Sequence, residues 1–411
     1  MQTFEKNKQY IKFCLYGFLK NLRFYDAFLL LFFLDNGLNF SQIGVIYAAR
    51  EITTNILEVP SGILADVYGR RRSLLLAFLV YIVAFLSFYF SADFMLSLVA
   101  MMLVGVGDAF RSGTHKGMIM DYLRLMGWET QKVNYYGHTR SWSQMGSAVS
   151  ALFAGLMVFY YGNYRIIYLI SITPYLLNFI NVYTYPIQLD RPLKHKKKGR
   201  KSIKGVIKNL WLILRQRSVL RIVNSAALHS AYLKTVKDYI QPLIVSLTVM
   251  LPALSQLAEE SRNGLVVGLI YFFIFLMTSW ASRNAGRVHA KSLSNIQTRT
   301  LLLGFFAGIV SGVLFYMEFQ FLSLLFFIAI YVVENLRKPI LTGFLADSVP
   351  NEMLTSVISA QSSYQTLTTA TLSVVLGVLA DSFGVGLALV LVTGILVAFT
   401  LVLGNSGSAT S

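Results

Sequence analysis

Apolar stretches about as long as a bilayer is thick recur along this chain, and they leave little choice of fold. A helix needs about 20 mostly apolar residues to cross the hydrocarbon core. Stretches of that kind fall at 13–34, 43–65, 73–91, 94–122, 134–160, 165–185, 219–248, 264–282, 299–318, 320–348, 353–380 and 384–404. In lipid a chain must satisfy its backbone internally, so these read as transmembrane helices. Hydrophobic residues make up 55% of the 411 positions and charged residues only 13%, against about 25% charged in soluble domains. That composition excludes a disordered chain and leaves too little polar surface to cover a soluble enzyme. The 36 Lys and Arg outnumber the 19 Asp and Glu, a formal charge of +17. Nucleic-acid binders place such cations on soluble modules, and no long soluble stretch exists here, so no nucleic-acid partner is expected. The lone cysteine, Cys14, rules out a disulfide framework and a multi-cysteine metal site. No metal and no cofactor are expected.

The cations test the topology. With both termini cytoplasmic, the outer loops hold only Arg165 and Arg262. The inner segments hold Lys6, Lys8, Lys12, Arg70 to Arg72, Arg124, Lys132, Arg283, Arg287, Lys291, Arg299 and the run from Arg191 to Arg221. This is a strong positive-inside pattern. Short turn-like connections at Ser91-Ala92-Asp93, Tyr161-Gly162-Asn163 and Ser382-Phe383-Gly384 suit tight antiparallel hairpins. The expected organisation is a six-helix bundle over 1–188, a basic cytoplasmic linker over 189–218, a second six-helix bundle over 219–404, and a disordered or appended tail over 405–411. Within the linker, Ile203, Val206, Ile207, Leu210 and Leu214 recur at helical spacing. They suit an amphipathic helix on membrane lipid, and a plain solvated tether fits as well.

The two halves echo each other. Asp108-x-x-Arg111 is mirrored by Glu334-x-x-Arg337 at an offset of 226, which also carries Gly117 to Gly343 and Asp121 to Asp347. An offset of 222 carries Gly155 to Gly377 and Gly162 to Gly384, and one of 214 carries Lys20-x-x-Arg23 to Lys234-x-x-Lys237. Same-order repeats of six spans indicate two halves related by an axis along the membrane normal.

Between the second and third spans stands Gly62-Ile63-Leu64-Ala65-Asp66-Val67-Tyr68-Gly69-Arg70-Arg71-Arg72. The glycines permit a tight turn and close packing, and Asp66 is placed to cap a helix end or pair with Arg70. This segment resembles motif A of the major facilitator superfamily, and the two-half layout with a long central linker resembles the family as well. Glu58-Val59-Pro60-Ser61 before it is similar to bacterial drug and metabolite transporters. The resemblance implies an all-α membrane fold of twelve helices in two pseudo-symmetric bundles. It also implies a conformational latch at Gly62, Asp66, Gly69, Arg70, Asp121 and Asp347. Arg71 and Arg72 fit a latch or a static anchor equally. Arg111 matches the mid-membrane arginine of motif B. Gly137, Gly146 and Ala154-Gly155 partly match the antiporter motif C, but Ser150-Ala151 stands where its Gly-Pro would.

Charged side chains mid-bilayer cost about 2.5 kcal/mol or more each, so they gather at partners or wet cavities. Here almost all lie in spans one, four, seven and ten, which the resemblance assigns to the central pathway. Candidate substrate-binding residues are Arg23, Arg111, His115, Arg140, Trp142, Lys234, Lys237 and Arg337. Candidate proton carriers are Asp26, Glu58, Asp108 and Glu334, with Asp26 and Glu58 preferred. Asp108 with Arg111, and Glu334 with Arg337, are spaced to pair within their helices, either as structural ion pairs or as pairs that exchange partners. His115 and His229 suit proton relays or plain packing. Deep cations outnumber deep carboxylates, which favours an anionic or zwitterionic small molecule. The expected function is a monomeric, proton-coupled secondary transporter of the bacterial inner membrane, working by alternating access, with export slightly favoured over import. A uniporter or importer of an anionic metabolite is the alternative. A membrane enzyme or sensor is disfavoured because no catalytic motif appears.

Overall fold

The computed structural model describes residues 5–128, 131–190, 212–213, 216–290, 296–349 and 351–405, and contains helices and no strands among them. The side chains of Asp66 and Asp347, and most of the basic linker, lie outside the described set, as does the expected tail beyond Asn405. The first expected span is broken into α1 (Lys8–Lys20), a 3-10 turn (Phe24–Ala27) and α2 (Leu29–Asp35). Then follow α3 (Phe40–Tyr68), α4 (Arg70–Phe90), α5 (Phe94–Arg111), α6 (Thr114–Leu125), α7 (Lys132–Tyr161) and α8 (Ile166–Tyr183). Past the linker come α9 (Arg217–Val236), α10 (Ile240–Val249), α11 (Glu259–Ala290), α12 (Ile296–Tyr316), α13 (Gln320–Ser348) and α14 (Asn351–Asn405).

Seven described segments are long and apolar enough to cross a membrane: Arg70–Phe90, Phe94–Leu125, Tyr135–Tyr161, Ile166–Tyr183, Glu259–Asn284, Gln297–Tyr316 and Val357–Leu401. Large apolar side chains such as Val59, Phe90, Phe153 and Trp280 remain exposed, as an outward face toward lipid requires. The helix ends follow local chemistry. Asp93 caps α5 by accepting from the Leu96 amide at 2.8 Å. Gly162 ends α7 with a φ of +58°, and Gly384 bends α14 with a φ of +78°, both in the region that glycine enters without a Cβ penalty. The motif loop is shorter than expected: α3 runs to Tyr68, α4 starts at Arg70, and Gly69 alone makes the turn at φ +113°.

Two compact units emerge from the packing. The first comprises Met1–Leu38, Ala49–Lys196 and Leu251–Phe275; the second comprises Asn39–Ala48, Lys197–Met250 and Leu276–Ser411. In the first unit α7 and the early part of α11 approach backbone to backbone. A Cβ on Gly268 would lie 2.7 Å from the Gly155 Cα and 3.0 Å from the Ala151 carbonyl oxygen. In the second unit the start of α3 meets α14, where the Asp381 carboxylate accepts from the Phe40 amide at 2.8 Å and the Ser41 amide at 2.7 Å. Small residues let helices in lipid reach such contact distances. Gly268→Leu is therefore expected to cost about 1–3 kcal/mol, the range for overpacking, read as a lower melting temperature of the detergent-solubilised protein.

Candidate functional site

The first unit gathers its charges around the break between α1 and α2. Lys20 ends α1, and Arg23 precedes the 3-10 turn that carries Tyr25 and Asp26. Arg23 pairs with Asp26 at 3.6 Å. On α5, Asp108 accepts from Arg111 at 2.9 Å, so the expected in-helix pair forms. Asp108 also holds Arg50 of α3 at 2.7 Å and accepts from the Tyr81 hydroxyl of α4 at 2.6 Å. Arg111 reaches the same Tyr81 hydroxyl at 3.1 Å. One carboxylate thus ties three helices, and two guanidiniums share it. Gly105 makes the α3–α5 approach possible, since a Cβ there would sit 2.8 Å from the Arg50 carbonyl oxygen. The charged side chains here keep between 13% and 26% of their surface exposed.

Around it stand tyrosines. Tyr175 packs edge-on to Tyr81 at 5.1 Å, and Tyr25 stacks on Tyr168 at 6.0 Å. His115 lies flat on the Tyr16 ring at 3.4 Å and meets the Tyr185 hydroxyl at 3.2 Å. Arg140 is exposed on α7, and Trp142 is also exposed, edge-on to Phe18. Glu58 stands apart from this cluster, accepting from Ser112 at 2.8 Å.

The second unit treats its matching residues differently. Glu334 accepts from the Ser230 hydroxyl and lies 2.7 Å from His229 Nδ1. His229 is fully buried, stacked on Phe305 at 5.8 Å, with its Nε2 edge facing Gly304. Any side chain at Gly304 would collide with that ring. Arg337 turns away from Glu334. Its two terminal nitrogens donate to the carbonyls of Gln297 and Ser225, to Thr300 Oγ1 at 2.6 Å and to Ser225 Oγ at 2.9 Å, and only 1% of the residue is exposed. The spacing of Glu334 and Arg337 suggests a pair; the packing of α13 between α9 and α12 separates them instead. Lys237 lies 3.4 Å from Asp238, and Lys234 is half-buried on α9.

At the Gly69 end of the first unit, Arg70 meets Asp121 at 2.7 Å, and Asp121 also meets Arg124 at 3.3 Å. The Arg70 guanidinium covers Gly117. Asp190 adds a partner that spacing did not suggest. It takes the Arg70 amide on its carbonyl at 2.6 Å and the Arg71 amide on its carboxylate at 2.9 Å, binding the exit of α8 to the start of α4. Gly62 is exposed within α3 with nothing near its Cβ direction, so close packing does not explain a glycine there.

An all-helical fold with lipid-length helices, interior charges and a positive-φ glycine turn beside Arg70 defines a polytopic membrane transporter rather than an enzyme. The family model of the Major Facilitator Superfamily matches residues 17–369, and the chain belongs to that superfamily. It is similar to YxaM, an uncharacterized MFS-type transporter of Bacillus subtilis (strain 168), at 22% identity over 372 residues, covering 88% of this chain and 86% of that one. Solved structures share the fold. One is a bacterial homolog of the human lysosomal transporter Spinster in an inward-facing, unoccupied conformation, with a TM-score of 0.74, 12% identity, and 97% and 98% of the chains covered. Another is the nucleoside transporter NupG, with a TM-score of 0.71, 12% identity and 98% and 97% covered. A third is a D-xylose-proton symporter, with a TM-score of 0.69, 14% identity and 96% and 95% covered.

The Asp108 clamp generates a stability prediction. Asp108→Asn removes the charge that Arg50 and Arg111 share. Breaking a buried pair from one side costs about 3–5 kcal/mol, so this variant is expected to melt well below the wild type in detergent. An unchanged melting temperature would mean that the guanidiniums are neutralised elsewhere.

Proposed function

We propose that this protein is a proton-coupled secondary transporter of small organic anions or zwitterions. The observation that carries the reading is the partly exposed cation cluster of the first unit, where Lys20, Arg23, Arg50 and Arg111 meet near the helix break. Guanidiniums present paired donors that match carboxylate and phosphate oxygens, and a low-dielectric surround strengthens their pull on an anion. The tyrosines beside them supply flat faces for an organic body. In this reading the first half contributes Arg23 and Arg111 with His115, Arg140 and Trp142, while Arg337, buried and donating to Gln297, Ser225 and Thr300, is left out of the set.

Among the carboxylates, Glu334 has the surroundings that suit a proton carrier best. Its neighbours are an imidazole and a hydroxyl, groups that can give or take a proton or hydrogen bond without changing fold. Asp108 sits between two permanent cations, Arg50 and Arg111. Asp26 shares Arg23, and Glu58 accepts from a serine. Likeness of fold to a D-xylose-proton symporter is consistent with proton coupling. Movement would follow alternating access, with halves 1–188 and 219–404 rocking about the linker 189–218 and the Arg70–Asp121 contact making and breaking as a latch on the cytoplasmic face.

The test is solute uptake into proteoliposomes under an imposed pH gradient, using labelled succinate, phenyl phosphate and benzoate with uncharged and cationic controls. Accumulation of at least one anion beyond its equilibrium level, abolished when the gradient is collapsed, is the expected result. Flux confined to uncharged or cationic solutes would refute the reading.

A further inference from the structure

Glu334 packs on the boundary between an open and a sealed stripe of α9, and that position decides how a proton reaches it. Residues at i, i+3, i+4 and i+7 share one face of a helix. Ser230, Leu233 and Lys234 of α9 form such a stripe, continued by Lys237 in the turn that follows, and all four are partly exposed. Two lysines mark this stripe as the wet side, because charge inside a membrane protein gathers where water reaches. His229, Tyr232 and Val236 form the neighbouring stripe, and all three are fully buried.

Glycines of α12 close the sealed stripe. Gly304 lies against the His229 ring and Gly308 against the Tyr232 hydroxyl, and a Cβ at either position would collide. The Tyr232 hydroxyl is engaged with Thr393 Oγ1 at 2.8 Å. His229 Nε2 is buried and has no hydrogen-bond partner among the described residues. The two ring nitrogens therefore differ. Nδ1 lies 2.7 Å from Glu334 Oε2, so the proton of a neutral imidazole belongs on Nδ1 and is donated to the carboxylate. A second proton on Nε2 would bury a charged donor with nothing to accept it. Arg337 acts electrostatically on His229 and Lys338 on Glu334, and the arginine opposes a cationic imidazole. On the open stripe the half-buried Ser230 hydroxyl donates to Glu334 Oε1, and a hydroxyl can turn to accept instead.

We propose that Ser230 is the port through which Glu334 gains and loses its proton, and that His229 is a positioning residue that stays neutral while Glu334 changes charge. On uptake, hydronium on the open stripe gives a proton to Ser230 Oγ as the Ser230 hydroxyl proton passes to Glu334 Oε1. Hydronium becomes water, the serine ends as a neutral hydroxyl accepting from the new acid, and the carboxylate loses its charge. His229 Nδ1–H donates to Oε2 before and after. Release is the reverse. The inference deepens the reading of Glu334 as the proton carrier and rests on it.

The experiment reads protonation on the purified full-length protein and needs no transported solute. Infrared difference spectra between pH 9 and pH 5 follow carboxylic acid formation, and Glu334→Gln identifies the Glu334 band. Nitrogen-15 spectra of ring-labelled histidine follow both His229 nitrogens over the same range, and His229→Asn identifies their signals. The Glu334 band is expected to grow as pH falls while His229 keeps a proton on Nδ1 and none on Nε2. After a rapid pH drop the band is expected to appear about tenfold or more slowly in Ser230→Ala, within what a positioned proton donor contributes, and Ser230→Thr is expected to restore the rate. His229→Leu is expected to displace the titration of the band, and His229→Asn, whose amide keeps a donor to Oε2, to restore it. Melting temperatures of the variants control for folding.

A proton on His229 Nε2 at any pH where Glu334 changes charge overturns the positioning role. A wild-type rate in Ser230→Ala, or equal slowing in Ser230→Ala and Ser230→Thr, overturns the port while leaving Glu334 as the carrier. A difference spectrum from which Glu334→Gln removes no band overturns the carrier reading and the inference with it.

Discussion

The first unit is tied together at Asp108, a largely buried carboxylate shared by two arginines. A lone carboxylate there would be prohibitively unfavourable, and a single arginine would leave oxygen lone pairs unmet. The structure supplies Arg50 from α3, Arg111 from α5 and the Tyr81 hydroxyl from α4. Those contacts bind three helices at one point and fix where both guanidiniums stand. Gly105 and Gly107 let the backbones close to the necessary distance, Gly105 against Arg50 and Gly107 against the Tyr81 ring. Beside this clamp Arg23 pairs with Asp26 at the break between α1 and α2.

The two units surround the repeated acid–arginine spacing with different partners. Positions 108 and 334 both carry a carboxylate, and positions 111 and 337 both carry arginine. In the first unit the pair closes and becomes a fixed electrostatic centre. In the second the arginine is drawn into carbonyl and hydroxyl acceptors of α9 and α12, and the glutamate faces a histidine instead. A guanidinium cannot deprotonate under ordinary conditions, whereas an imidazole can.

Much of the fold was legible in advance because lipid imposes a simple rule. Span length and apolarity located the helices, and Asp93, Gly162 and Gly384 marked turns that the structure contains. The Asp108–Arg111 contact was legible because both residues lie on one helix. Contacts between helices were not. Nothing in the sequence marks Arg50 as a partner of Asp108, because that bond depends on how α3 packs on α5. The signal available was Gly105, a small residue one turn before Asp108 on α5. Glu334 and Arg337 misled for the same reason: helical spacing brings two residues to one face, but carbonyl and hydroxyl acceptors on neighbouring helices then claim the arginine. Asp190 escaped notice because it lies beyond the end of a helix, where periodicity carries no information.

The central claim is that the cations of the first unit hold the cargo while Glu334 with His229 carries the proton. The most direct measurement records labelled succinate or phenyl phosphate uptake and internal pH together in the same proteoliposomes, for the wild type and for Glu334→Gln. The account predicts that in the wild type the anion gradient alone drives proton movement, and that in Glu334→Gln the anion still exchanges across the membrane without any change in internal pH. Anion flux with no pH change in the wild type, or normal proton movement in Glu334→Gln, would contradict it.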